Sequence, residues 1–111
     1  MTVATLRTIK ALHTSVWAII ASSILAIPIF AWRGQFRPVV ILTIVVLVEV
    51  VILLANGWRC PLTDVAARYT DDRSDNFDIF LPLFIARYNK LIFGSLFAAA
   101  LLLALLLWLW Q

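Results

Sequence analysis

Three side chains in this 111-residue sequence have the chemistry to do more than pack: His13, Glu49 and Cys60. His13 is the only histidine and Cys60 the only cysteine. Cys60 stands in GWRCPLTD, directly after Arg59 and directly before Pro61. Proline suits the first turn of a helix, where its missing N–H has no intrahelical partner to lose. A helix starting at Pro61 would put the thiol at a positive helix end beside a guanidinium, an electropositive setting of the kind in which thiols react. That placement fits a haem-binding Cys-Pro, a redox-sensing thiol or an acylation site near a membrane. It also fits a small buried residue that anchors a surface helix. With no second cysteine, an internal disulfide and an intramolecular dithiol cycle are excluded, and no histidine cluster offers a zinc site.

Glu49 is the only acid inside a long apolar run, about nine residues, or some 13 Å of helix, before Trp58. An ionised carboxylate in hydrocarbon is costly, so Glu49 must be protonated, paired, or turned toward protein or water. It fits a proton relay, a ligand contact, a polar contact to a partner subunit, or a hydrogen bond between helices. His13 can ligate haem or a metal, pair with Glu49, or simply hydrogen-bond near a membrane interface. The depths of His13 and Glu49 differ by roughly two helical turns, so a direct pair needs tilt or a water. Asp71, Asp72, Asp75 and Asp78 lack the glycine and closing glutamate of a calcium loop. They read as a solvated loop, with Asp75 capping a following helix and Asp78 favouring its positive end. No Gly-rich phosphate loop, zinc-protease motif or hydrolase signature is present.

The elements that must position these groups are apolar helices. The chain is 64% hydrophobic and 14% charged, with a mean hydropathy of +1.02. Soluble domains carry about a quarter charged residues, and a water-soluble fold this small cannot hide so much apolar surface. Hydropathy marks spans over 13–32, 38–58 and 91–110. Each has the roughly 20 residues that cross a hydrocarbon core of about 30 Å. The first run lacks the short core and small-residue cleavage site of a secretory signal, so it reads as a retained helix, bent near Pro28. RGQFR (33–37) is a short polar hairpin, and Asn56-Gly57 fits a helix end.

Residues 59–81 form the polar segment. Leu62, Val65, Ala66 and Tyr69 recur at helical spacing, so 61–70 reads as an amphipathic helix on the membrane surface, with Asp64 and Arg68 paired four apart. Residues 80–90 either extend the last span inward or form a separate interfacial or re-entrant turn broken at Pro82. Gly94 with Ala98, and Ser95 with Ala99, put small residues four apart, a close-packing face for another helix. Arg59, Arg87 and Lys90 are expected to contact headgroups or a partner. With three spans, one side holds Arg7, Lys10, Arg59, Arg68, Arg73, Arg87 and Lys90, and the other only Arg33 and Arg37. The positive-inside rule then puts the N-terminus and the polar segment in the cytoplasm and the C-terminus outside.

Taken together, Leu12-His13, Glu49 and the run from Gly57 to Thr63 resemble a family of small bacterial inner-membrane proteins of unknown function. That family is marked by Cys-Pro-Leu-Thr after an early apolar region. His13, Glu49, Cys60, Pro61, Leu62 and Thr63 occupy the places of its early Leu-His, intramembrane acid and motif. The resemblance covers most of the chain, although only the short motif is specific. The family continues with a Leu-Glu pair where Asp64-Val65-Ala66 stand here, so that acid is absent or replaced by Asp64. The resemblance implies a bacterial inner-membrane location and no particular chemistry.

The expected fold is an all-α membrane protein of three transmembrane helices with a cytoplasmic amphipathic segment. Three spans leave no aqueous domain for an ordinary active site. The expected function is therefore a non-catalytic accessory protein, packing against itself or a larger membrane complex through the Gly94/Ala98 face and residues 59–90. The rival is a small binder of haem or quinone using His13, Glu49 and Cys60, and a weaker third reading is a proton-coupled carrier built around Glu49. The expected surroundings are the lipid bilayer and another membrane protein or further copies of the chain, with no nucleic acid.

Overall fold

In a computed structural model, residues 2–111 form four helices and, among these described residues, no strand. They are α1 (Thr2–Trp32), α2 (Phe36–Ala55), α3 (Pro61–Ala66) and α4 (Leu83–Trp110). The helices α1, α2 and α4 are long and apolar enough to cross a membrane. Lipid offers no partner to backbone N–H and C=O groups, so β-branched runs such as VVILTIVVLVEVVILL in α2 are helical despite their low propensity in water.

Local chemistry sets the helix ends. After α1 the Gly34 and Gln35 N–H groups donate to the carbonyls of Ala31 (3.1 Å) and Phe30 (2.9 Å), with Gly34 at φ +72°. This is a left-handed cap that satisfies the last carbonyls. After α2 the Trp58 N–H donates to Leu53 O at 2.7 Å, and both Gly57 (φ +66°) and Trp58 (φ +67°) are left-handed, which turns the chain sharply at the end of the apolar run.

Two element boundaries differ from the sequence reading, and a third decides between its alternatives. The first helix begins at Thr2, eleven residues ahead of the expected span at His13; Ala4, Leu6, Arg7, Lys10, Ala11 and Leu12 favour helix there, and Ile9 is buried. The short polar helix α3 closes at Ala66, earlier than the expected 70. Residues 83–90 belong to α4, with Pro82 just ahead of its first turn, so the alternative of a helix extended inward is the one observed.

The chain divides into two compact units. One combines Ile19–Glu49 with Lys90–Gln111; its core is Ile27, Ala31, Val39, Ala100 and Ala104, flanked by Phe30, Phe97 and Leu107. The alanines four apart on α4 let helices approach closely. This is a different small-residue face from Gly94, Ser95, Ala98 and Ala99, which remain exposed. The other unit combines Met1–Ala18 with Val50–Asn89 and holds nearly all the polar side-chain contacts between elements. Its buried residues include Ile9, Ala66, Asp78 and Ile79.

Candidate functional site

The second unit gathers His13 from α1, Cys60 at the N-cap of α3, Thr63 within α3, and Asp78 from the loop before α4. Asp78 is held in place by its neighbours. The Phe80 N–H donates to Thr14 Oγ1 at 2.9 Å, Asn76 Nδ2 donates to Leu81 O at 3.0 Å, and Arg87 Nε donates to Asp75 Oδ2 at 2.7 Å. Lys10 Nζ lies 4.6 Å from the centre of the Phe80 ring. Nearby, Trp17 Nε1 donates to Asn89 Oδ1 at 2.8 Å. These contacts fasten the loop to α1 and α4 on both sides of the carboxylate.

Nδ1 of His13 lies 3.1 Å from the backbone oxygen of Asp78 and 3.4 Å from its Oδ2. A carbonyl oxygen has no proton to give, so Nδ1 must carry one and donate. The Cys60 thiol, at the N-cap of α3, belongs to the same compact unit. Asp78 Oδ2 also accepts a hydrogen bond from Thr63 Oγ1. Burial pushes the Asp78 carboxyl toward its neutral form, but the hydrogen bonds from His13 and Thr63 prevail and hold its pKa below the usual carboxylate value. Side-chain exposure is 14% for His13 and 8% for Asp78, whereas Cys60 is half-buried. The thiol is therefore the group of the three most open to the surroundings.

This order is that of a nucleophile, a base and an orienting carboxylate. Asp78 is a positioning residue: it fixes the ring and its tautomer. Cys60 Sγ is the nucleophilic atom of the group, and the His13 ring is the only imidazole that could exchange a proton with it. A metal centre fits less well. Among the described residues, no three His, Cys, Asp or Glu side chains are arranged to hold a metal ion.

Of the residues singled out by sequence, His13 and Cys60 come together. Glu49 belongs to the other unit. Arg59 is drawn into a local pair, its Nε 3.6 Å from Asp64 Oδ1, and Asn56 Nδ2 donates to Asp64 Oδ2 at 2.9 Å. Asp64 thus looks back to Arg59 rather than forward to Arg68. Arg87 is paired with Asp75, so Asp75 is an ion-pair partner and not a helix cap. Asp78 is the member that sequence reasoning missed. Its only sequence signal is acidity within an acidic loop, and its contact with His13 spans 65 positions. Compared with protein-family models, curated proteins and solved structures, the chain matches none.

Proposed function

We propose that this chain is an integral membrane protein that does nucleophilic thiol chemistry at the cytoplasmic face of a bacterial inner membrane. Cys60 is the nucleophile, His13 its base and Asp78 the residue that positions His13. The observation that carries this reading is that the one imidazole is held by Asp78, with Nδ1 3.1 Å from its backbone oxygen and 3.4 Å from Oδ2, in the same compact unit as the one thiol. Three apolar helices support the membrane location, and the bias of Lys and Arg toward the N-terminus and residues 59–90 supports the cytoplasmic orientation.

The test is the rate at which Cys60 is alkylated by iodoacetamide at pH 7, in protein held in lipid nanodiscs. A base that takes the proton in the transition state contributes roughly 100-fold or more, so His13→Gln should slow the reaction by at least about 10-fold. Equal rates in the two proteins, with unchanged helical content, would remove His13 as the base.

A second reading, association with another membrane helix, is favoured by Glu49. Glu49 is half-buried in α2 and, among the described residues, meets no hydrogen-bond or ion-pair partner. A partner chain that supplies one would relieve the cost of an acid in the membrane. The exposed Gly94 and Ala98 offer a surface on which such a helix can pack closely. Native mass spectrometry after gentle extraction should then show a second polypeptide or a second copy, lost in Glu49→Leu. A monomer alone would count against it.

A further inference from the structure

The turn between α1 and α2 carries two cations that nothing in its unit answers. Arg33 follows the end of α1, and Arg37 stands in the first turn of α2. Among the described residues, neither guanidinium has a hydrogen-bond or ion-pair partner. Their compact unit, Ile19–Glu49 with Lys90–Gln111, contains one acidic side chain, Glu49. Glu49 follows Arg37 along α2 by about 18 Å, from the helical rise per residue, and so lies beyond its reach. The planar fork of a guanidinium matches a phosphate in two parallel hydrogen bonds. Two such forks in one turn are open anion contacts.

A cavity lies against the same turn. Its volume is about 290 Å³, and it is lined by Phe30 of α1 and by Arg37, Pro38, Ile41 and Leu42 of α2. Arg37 is the one charged residue among these. Phe30 and Leu42 also pack on the core of Ile27, Ala31, Val39, Ala100 and Ala104, which fixes the floor of the cavity. Ile41 is exposed, so the cavity opens sideways as a groove. The 20 residues of α2 are about the number that crosses the hydrocarbon core, so Phe36 lies at one core boundary and Ala55 at the other. Arg37 therefore stands at headgroup level, and Ile41, about one turn on, lies among acyl chains. The exposed Trp32 marks the same interface. A cation above apolar walls matches a phosphate above an acyl chain. A free inorganic anion would leave the groove unused, and a plain hydrocarbon would leave the guanidiniums unanswered.

We propose that the α1–α2 turn binds one anionic glycerophospholipid. Arg33 and Arg37 contact its phosphate, and one acyl chain lies in the groove of Phe30, Pro38, Ile41 and Leu42. Headgroup charge sets the preference. Phosphatidylethanolamine carries an ammonium beside its phosphate, and this turn has no carboxylate to receive it. Phosphatidylglycerol carries an uncharged glycerol there and needs none. Each basic side chain near an anionic lipid surface is worth roughly a fivefold preference.

The experiment is photo-crosslinking of the full chain in phosphatidylcholine nanodiscs, read by peptide mass mapping. The probe carries a diazirine in its acyl chain, close to the carbonyl. Separate arms supply that chain as phosphatidylglycerol, as phosphatidylethanolamine and as the free fatty acid. The phosphatidylglycerol probe should label residues 30–42 roughly fivefold or more above the other two. Arg37→Gln should lower that labelling roughly fivefold, and the double variant with Arg33→Gln should lower it further. Ile41→Trp, which fills the groove from an exposed position, should lower it with helical content unchanged. Arg68→Gln removes an equally unpaired charge outside this unit and should leave it unchanged. Equal labelling by phosphatidylethanolamine, or an equal fall in Arg68→Gln, would overturn the headgroup contact. Equal labelling by the fatty acid would overturn a glycerophospholipid as the ligand. Label spread evenly over α1, α2 and α4 would overturn the site.

Discussion

Asp78 carries more of the site than its place in an acidic loop suggests. It is 6% exposed, receives Thr63 Oγ1, and accepts from His13 through its backbone oxygen. A hydrogen bond to a charged group contributes about 1.5–3 kcal/mol, and a buried acceptor left alone costs its desolvation in addition. Thr63→Val should therefore destabilise the protein by about 1–3 kcal/mol, read as a lower midpoint in thermal unfolding in detergent. The pH dependence follows from the lowered pKa of Asp78. Its stabilising contribution is complete above the unfolded-state value of about 4 and is lost as pH falls through the lower folded-state value. Asp78→Asn should remove that acid-side loss, so the unfolding midpoints of wild type and variant converge as pH drops below about 4. An unchanged gap between them would contradict the assignment. The sequence marks His13 and Cys60 because each is the single representative of a reactive type. It does not mark Asp78, since nothing in the order of residues brings a loop acid to a histidine 65 positions away.

At the scale of elements, the turn between α2 and α3 sets where the thiol stands. Gly57 adopts φ +66°, and a Cβ there would meet nothing within 4 Å. The penalty for Gly57→Ala is then purely conformational, about 1–2 kcal/mol, and the looser turn should change the Cys60 alkylation rate while leaving helical content intact. Gly94 offers the contrast. It lies inside α4 with open space around its Cα, so Gly94→Ala should stabilise the isolated helix by about 0.5–1 kcal/mol. Gly94→Leu should weaken any close helix association through that face. The spans were legible because hydropathy is a long-window property; α1 and α4 contain the expected apolar stretches, and α2 covers the expected 38–58 up to Ala55. Helix ends were less so. Whether a helix continues past the apolar stretch, as α1 does toward Thr2, depends on propensity and on what the extra turns pack against. The sequence offers Gly94/Ala98 as a face for a partner helix, whereas the pair used within the chain is Ala100 and Ala104, which pack with Ile27 and Ala31 of α1 and Val39 of α2. Both are small pairs four apart, and only the third dimension tells them apart.

For the whole molecule, the account makes one thiol the centre of a membrane protein with both reactive partners at one surface. The proposed orientation predicts that a membrane-impermeant maleimide labels Cys60 in inside-out vesicles and not in intact cells stripped of their outer membrane. In a Cys60→Ser background, Gln35→Cys, in the turn between α1 and α2, should show the opposite pattern. The most direct measurement of the central claim uses the fact that the chain has one histidine, so a protein labelled with nitrogen-15 histidine reports on that ring alone. In lipid nanodiscs the account predicts a protonated Nδ1 whose resonance moves in Asp78→Asn, and an Nε2 resonance that moves in Cys60→Ala. A freely exchanging imidazole, with both resonances indifferent to both substitutions, would contradict it.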